Sequence, residues 1–147
     1  MAQEIRKIPS DFLLRPVLLI EDEALIGMLH EKLLEDLGFS SITIAVNGEQ
    51  ALKASEAIDF GMIVSDIVLE RSKLNGIDAV VSLTRRNPAP TVFITAHAGV
   101  ADLQRIKAET PRAAILRKPV TTRELNNAIA ALIASWDPAT KQGIRSA

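Results

Sequence analysis

The sequence predicts an α/β domain, with five parallel strands in one sheet and helices on both faces. Short apolar runs of strand length alternate five times with stretches whose apolar residues recur at helical spacing. The first run, Pro16 to Ile20 (PVLLI), has no polar alternation, as expected of a strand buried on both faces. Parallel strands need long crossover connections, and the helical stretches between the runs supply them.

The elements follow in order. After PVLLI comes EALIGMLHEKLLEDLG, where Leu25, Met28, Leu29, Leu33 and Leu37 form the helical stripe and Gly38 stands at the C-terminal cap. His30 lies inside this pattern and is read as a solvated residue. SITIAV is the second strand, and GEQALKASEA is a short helix after the Asn47-Gly48 turn. MIVSD is the third strand, followed by a loop and the helix GIDAVVSLTRR. Pro88 and Pro90 break the chain before the fourth strand, TVFIT. VADLQRIKAE is helical by pattern and AAILRK is the fifth strand. In the last helix, Thr121 and Glu124 make a capping box, with Val120 and Leu125 as a hydrophobic staple. Leu125, Ala128, Ile129, Leu132 and Ile133 then form its buried stripe, and Trp136 packs at its end. Residues 1–14 read as an N-terminal arm that frays, residues 15–136 as one domain, and residues 137–147 as a short tail.

A chain of 147 residues is long enough for one core, and 48% hydrophobic with 24% charged residues is a globular composition. The net charge of −1 gives no field favouring nucleic acid or an anionic membrane. There are no cysteines, which removes disulfides, thiolate metal sites and cysteine nucleophiles. The N-terminus carries charges inside its apolar stretch, unlike a signal peptide, and no run is long enough to span a bilayer. A cytoplasmic location is the expectation.

In open α/β sheets, ligands bind beyond the carboxyl ends of the strands. The residues found there are Glu21, Asp22 and Glu23 after the first strand and Asp66 after the third. Thr95, Ala96 and His97 follow the fourth, and Lys118 and Pro119 the fifth. Clustered carboxylates ionise together only beside a cation. With oxygen ligands alone, that cation is hard, Mg²⁺ or Mn²⁺. An aspartate there can attack phosphorus to form an acyl phosphate. Lys118 can pair with phosphoryl oxygens as a point charge and Thr95 can hydrogen-bond one. Glu23 is read as compensating the positive end of the first helix.

These pieces together resemble the receiver domains of two-component response regulators. The matching segments are LLIEDE with Glu21 and Asp22, VSDI with Asp66, FITA with Thr95, and LRKP with Lys118 and Pro119. Gly76 and the Asn47-Gly48 turn followed by Ala51 also fit, and the likeness covers about residues 16–135. The resemblance implies a flavodoxin-like sheet of order 2-1-3-4-5 and a cis peptide before Pro119. It also implies Asp66 as phosphoacceptor, Thr95 as switch and Lys118 as the phosphoryl contact. Mg²⁺ or Mn²⁺ would be held by Asp22, Asp66 and the backbone carbonyl of Val68, with Glu21 acting directly or through water.

Three features depart from the family pattern. Gly76 stands ten positions after Asp66, with no proline between, which is a longer loop than in many members. Ile115 occupies the place of an aromatic that swings with the switch. The positions two beyond Asp66 and Thr95, which often tune autodephosphorylation, hold Val68 and His97. A valine cannot position an attacking water, whereas a histidine can. The moving part is therefore expected to be the loop after Asp66 rather than a ring at residue 115.

The function read from the resemblance is a stand-alone phosphoacceptor, not an enzyme in its own right. A sensor histidine kinase or phosphotransfer protein would load it, and a downstream protein would meet the last two helices and the fifth strand. Monomer or weak dimer is expected, without nucleic-acid binding or membrane insertion. A phosphate sink or relay, and a pseudo-receiver that works without phosphorylation, are the alternatives. An aspartate-nucleophile hydrolase is disfavoured, because Val68 stands where its second aspartate would be. A flavin-binding fold lacks a phosphate-cradling loop after the first strand.

Overall fold

The computed structural model describes residues 5–70 and 72–136. The predicted tail, residues 137–147, lies outside the described residues. Five parallel strands run β1 (Val17–Ile20), β2 (Ile42–Ala45), β3 (Met62–Ser65), β4 (Thr91–Thr95) and β5 (Ala114–Arg117), in the order β2-β1-β3-β4-β5. The helices are α1 (Ala24–Leu37), α2 (Gly48–Ala57), α3 (Gly76–Arg86), α4 (Val100–Glu109) and α5 (Thr122–Ser135).

β1, β3 and β4 are buried along their whole length, which is why they read as unbroken apolar runs. β5 alternates half-buried and exposed residues, as an edge strand does. Two cores flank the sheet. Leu18, Ile20, Ile63 and Phe93 pack on one face with α2 and α3 residues such as Ala51, Ile77 and Val80. Val17, Leu19, Val64 and Ile94 pack on the other with Leu34 of α1 and Leu125 and Ile129 of α5.

The helix ends follow the predicted chemistry. Gly38 closes α1 in the left-handed region at φ 110°, its N–H bonding the Leu34 and Glu35 carbonyls. The Thr121–Glu124 capping box opens α5, with Val120 packed against the same core as Leu125.

Three expectations are corrected. The stripe predicted for α1 faces outward at its first turns: Leu25 is 80% exposed, and Met28 and Leu29 are also exposed. The sheet-facing line is instead Gly27, His30 and Leu34, with Leu33 and Leu37 half-buried beside it. Gly27 brings the helix close to the strand ends, since a Cβ there would lie 3.7 Å from Glu21 Cγ and 3.9 Å from Ile44 Cγ2. His30, expected in solvent, is therefore only 4% exposed.

The N-terminal arm is the third correction. Ile8 and Phe12 are buried in the α1–α5 core rather than frayed. The Phe12 ring meets Phe39 edge-on at 6.1 Å, and Arg15 lies over its face at 5.2 Å. The Arg6 N–H donates to Asn127 Oδ1 at 3.0 Å and its carbonyl accepts from Asn126 Nδ2, pinning the arm to α5. Truncating a buried phenylalanine costs about 3 kcal/mol or more. Phe12→Ala is expected to lower the unfolding free energy by that order in urea titrations. A loss under about 1 kcal/mol would mean the arm contributes nothing to the core.

Candidate functional site

The register places the chemistry. Ile20 pairs with Ser65, so the residues leaving β1 and β3 emerge side by side at the carboxyl edge. Thr95 pairs with Arg117, which sets the residue after β5 beside the end of β4. Glu21, Asp22, Asp66, Thr95 and Lys118 thus come to one edge from four elements.

Lys118 is the junction. Its Nζ donates to Asp66 Oδ2 at 2.8 Å and to Glu21 Oε1 at 2.7 Å. Asp66 is buried at the bottom of the site, and Glu21 is only 1% exposed. The other Glu21 oxygen accepts the Glu23 N–H at 3.4 Å. The peptide between Lys118 and Pro119 is cis, as the resemblance implies. The Lys118 N–H donates to the Thr95 carbonyl at 2.9 Å, tying the two strand ends together.

Asp22 is half-buried and stands beside this cluster rather than in it. Its Oδ2 accepts the Glu70 N–H at 2.9 Å, holding the loop after Asp66 over the first strand. Asp66 Oδ1 accepts the Val68 N–H at 3.3 Å, and the Val68 side chain is exposed. Thr95 is buried, and its hydroxyl donates to the His97 carbonyl at 3.1 Å rather than to an acid. His97 itself is exposed.

Ser65 and Ser72 were not singled out from the sequence, and Gly76, which was, gains a physical reason. Ser65 Oγ donates to the Asp66 carbonyl at 2.7 Å, fixing the Asp66 backbone from inside the sheet. Its signal is a small hydroxyl residue within an otherwise apolar strand. Gly76 lies so close that a Cβ would be 1.7 Å from the same carbonyl oxygen, and its N–H bonds the Ile67 carbonyl at 2.7 Å. Only glycine fits there. The loop is also anchored farther on, where Ser72 Oγ accepts the Gly48 N–H at 3.1 Å and donates to the Glu49 carboxylate.

The donor set fits a hard divalent cation. Mg²⁺ is commonly held by one or two carboxylates, with waters and a phosphate oxygen completing the shell. Asp22 and Asp66 leave the adjacent strands β1 and β3 and could supply that pair. Among the described residues no three Asp, Glu or His side chains converge as a ready-made cluster, because Glu21 is turned toward Lys118.

Burial shapes the charges. It raises the Glu21 carboxyl above its ordinary 4.5, and the bond from Lys118 only partly opposes this. Burial also works against the Lys118 ammonium, but its bonds to Asp66 and Glu21 prevail and hold it above 10.5. The partners thus differ in direction of benefit. Lys118 has two carboxylates, whereas Glu21 shares its one ammonium with Asp66, so Glu21 is the less compensated group. His30 is lowered below 6.5 by burial, reinforced by the field of Lys118.

The comparisons with known proteins agree with this architecture. The family model described as "Response regulator receiver domain" matches residues 17–130. The chain belongs to the receiver-domain family of two-component response regulators. It is 43% identical over 82 residues to the phyllosphere-induced regulator PhyR of Methylorubrum extorquens, covering 55% of this chain and 30% of PhyR. It is 31% identical over 120 residues to the probable chemotaxis protein CheY of Rhizobium etli, covering 79% of this chain and 90% of that one. The solution structure of the PhyR receiver domain of Erythrobacter litoralis superposes with a TM-score of 0.70 at 27% identity, covering 91% of this chain and 96% of the other. The chain spans less than a third of PhyR's length, so the likeness to PhyR is to one part of it.

Glu21→Gln keeps the side-chain shape and removes the charge. An acid with a raised folded pKa contributes stability that is fully present below its unfolded value, about 4.5, and is lost as pH rises through the folded value. The metal-free variant is therefore expected to gain on the natural protein as pH rises from about 4 to neutrality in urea titrations. A stability difference that stays flat over this range would contradict the uncompensated burial of Glu21.

Proposed function

We propose that this receiver is a phosphoacceptor that takes a phosphoryl group on Asp66 from a phosphohistidine of a sensor kinase or phosphotransfer protein. The observation that carries the reading is the Asp66 carboxylate, fixed at the end of a buried strand with the Lys118 ammonium 2.8 Å away. An Asp66 oxygen attacks phosphorus, the bond to the imidazole nitrogen breaks, and that nitrogen keeps the electron pair and takes a proton. Lys118 steadies the nucleophile first and the phosphoryl oxygens afterwards. Asp22, Asp66 and the Val68 carbonyl would hold Mg²⁺ or Mn²⁺, which when bound neutralises charge on the transferring group.

Thr95 is the switch in this reading. Its hydroxyl gives up the His97 carbonyl and donates to a phosphoryl oxygen, drawing the loop after β4 inward. The Lys118–Thr95 backbone bond carries that shift to β5. Exposed Val100 and Leu103 on α4 and Ile115 on β5 supply apolar contact area for a downstream protein. Ile115 has no ring to rotate, so the loop after Asp66 is the moving part in this reading, and a cation held by Asp22 would compete with the Glu70 N–H for that carboxylate. No described helix is long and apolar enough to cross a membrane, and we place the protein in the cytoplasm, acting through contacts rather than as an enzyme.

Acetyl phosphate with Mg²⁺ is expected to add one phosphoryl group by intact mass, and Asp66→Asn to abolish it. Asp22→Ala is expected to weaken Mg²⁺ binding about tenfold or more, since a carboxylate ligand is lost. A phosphoryl adduct that survives Asp66→Asn would sink the assignment of the nucleophile.

A further inference from the structure

We propose that Glu49 on α2 is a positioning residue for the segment after β3: through Ser72 it holds the Glu70 N–H on Asp22, and so weakens cation binding there. The inference deepens the phosphoacceptor reading and rests on it for its purpose, though not for its geometry.

The contact is made at one hydroxyl. Ser72 Oγ accepts the Gly48 N–H at 3.1 Å and the Leu74 N–H at 3.2 Å. A hydroxyl has two lone pairs and one proton, so both acceptor places are filled. The proton goes to Glu49 Oε2 at 3.1 Å. Gly48 and Glu49 open α2, where backbone N–H groups lack partners inside the helix. Ser72 supplies such a partner from 24 residues away. The approach is close, since a Cβ on Gly48 would lie 2.9 Å from Leu74 Cβ. The Glu49 carboxyl is held below its ordinary 4.5, first by its own backbone N–H and then, against some desolvation, by Ser72 and the Lys73 and Leu74 N–H groups. It is therefore ionised and accepting at neutral pH.

Ser72 is in turn joined to the site. Its N–H donates to the Leu69 carbonyl at 3.1 Å, closing a turn that contains Glu70. The Glu70 N–H donates to Asp22 Oδ2 at 2.9 Å. A cation at Asp22 must displace that N–H or share the carboxylate with it, and the Glu49–Ser72 contact makes displacement harder. Glu49 also attracts cations as a negative charge, which acts in the opposite direction. That charge is exposed to solvent and screened, whereas the contact acts through hydrogen bonds, so the contact prevails.

The test uses the full metal-free chain and then titrates it with Mg²⁺. In Glu49→Ala and in Ser72→Ala, the Glu70 amide is expected to exchange with water about fivefold faster or more. Mg²⁺ binding is expected to tighten about threefold or more in both. Glu49→Gln keeps an oxygen for the Ser72 hydroxyl and is expected to tighten less than Glu49→Ala, although both lose the same charge. A general loss of structure would not tighten a metal site. Weaker Mg²⁺ binding in Glu49→Ala, or unchanged binding in Ser72→Ala, overturns the proposal. So does a Glu70 amide that keeps its natural exchange rate in both variants. The amide measurement needs neither metal nor phosphoryl transfer. It therefore decides whether Glu49 holds the Glu70 N–H even in a chain whose Asp66 accepts no phosphoryl group. The phosphoacceptor reading fails separately, by the absence of an adduct on Asp66.

Discussion

The ammonium of Lys118 is the constraint around which this edge of the sheet is arranged. It joins carboxylates that lie 97 and 52 residues away in sequence, at the ends of β1 and β3. Each partner alone would be expensive to bury; two carboxylates without the ammonium would repel, and burial would disfavour the ammonium without them. The strand order puts all three within reach, because β1 and β3 are neighbours and β4 delivers β5 beside them. Ser65 and Gly76 then fix the Asp66 backbone, so the position of this carboxylate is set by the sheet interior rather than by its own loop.

Such a cluster favours chemistry over stability. Burial raises the Glu21 carboxyl, so its charge is held against a desolvation penalty that a neutral residue would not meet. The benefit is a cation of fixed position facing a carboxylate of fixed position, before any metal or phosphoryl group arrives. The loop above the site is tethered more lightly, by the Glu70 N–H on Asp22 and by Ser72 on the start of α2. The first tether ends on Asp22, a carboxylate that faces the loop.

Much of this was legible in the chain itself. Strands buried on both faces have to be apolar throughout, so β1, β3 and β4 appear as runs that end abruptly in Asp and Thr. The convergence of Glu21, Asp66 and Lys118 follows from the strand order, which the motif segments implied. What periodicity could not supply was the orientation of α1. Its apolar residues cover more than one face, and Leu25, Met28 and Leu29 were assigned inward. The sheet instead selects Gly27, whose lack of a side chain lets the helix approach, and carries His30 inward with it. The arm misled for a similar reason. Its two anchors, Ile8 and Phe12, lie among charged and polar residues, and their pocket exists only once α1 and α5 have assembled. The sequence placed Glu21 beside Asp22 after β1; its reach across to Lys118 after β5 is what the folded sheet adds.

The most direct test of the account is a crystal structure with Mg²⁺ and a beryllofluoride adduct on Asp66, which mimics the phosphoryl group. The account predicts that Lys118 Nζ and the Thr95 hydroxyl both lie within about 3.2 Å of the adduct, with Asp22 on the metal. A Lys118 turned away from the adduct, or a Thr95 hydroxyl still on the His97 carbonyl, would contradict it.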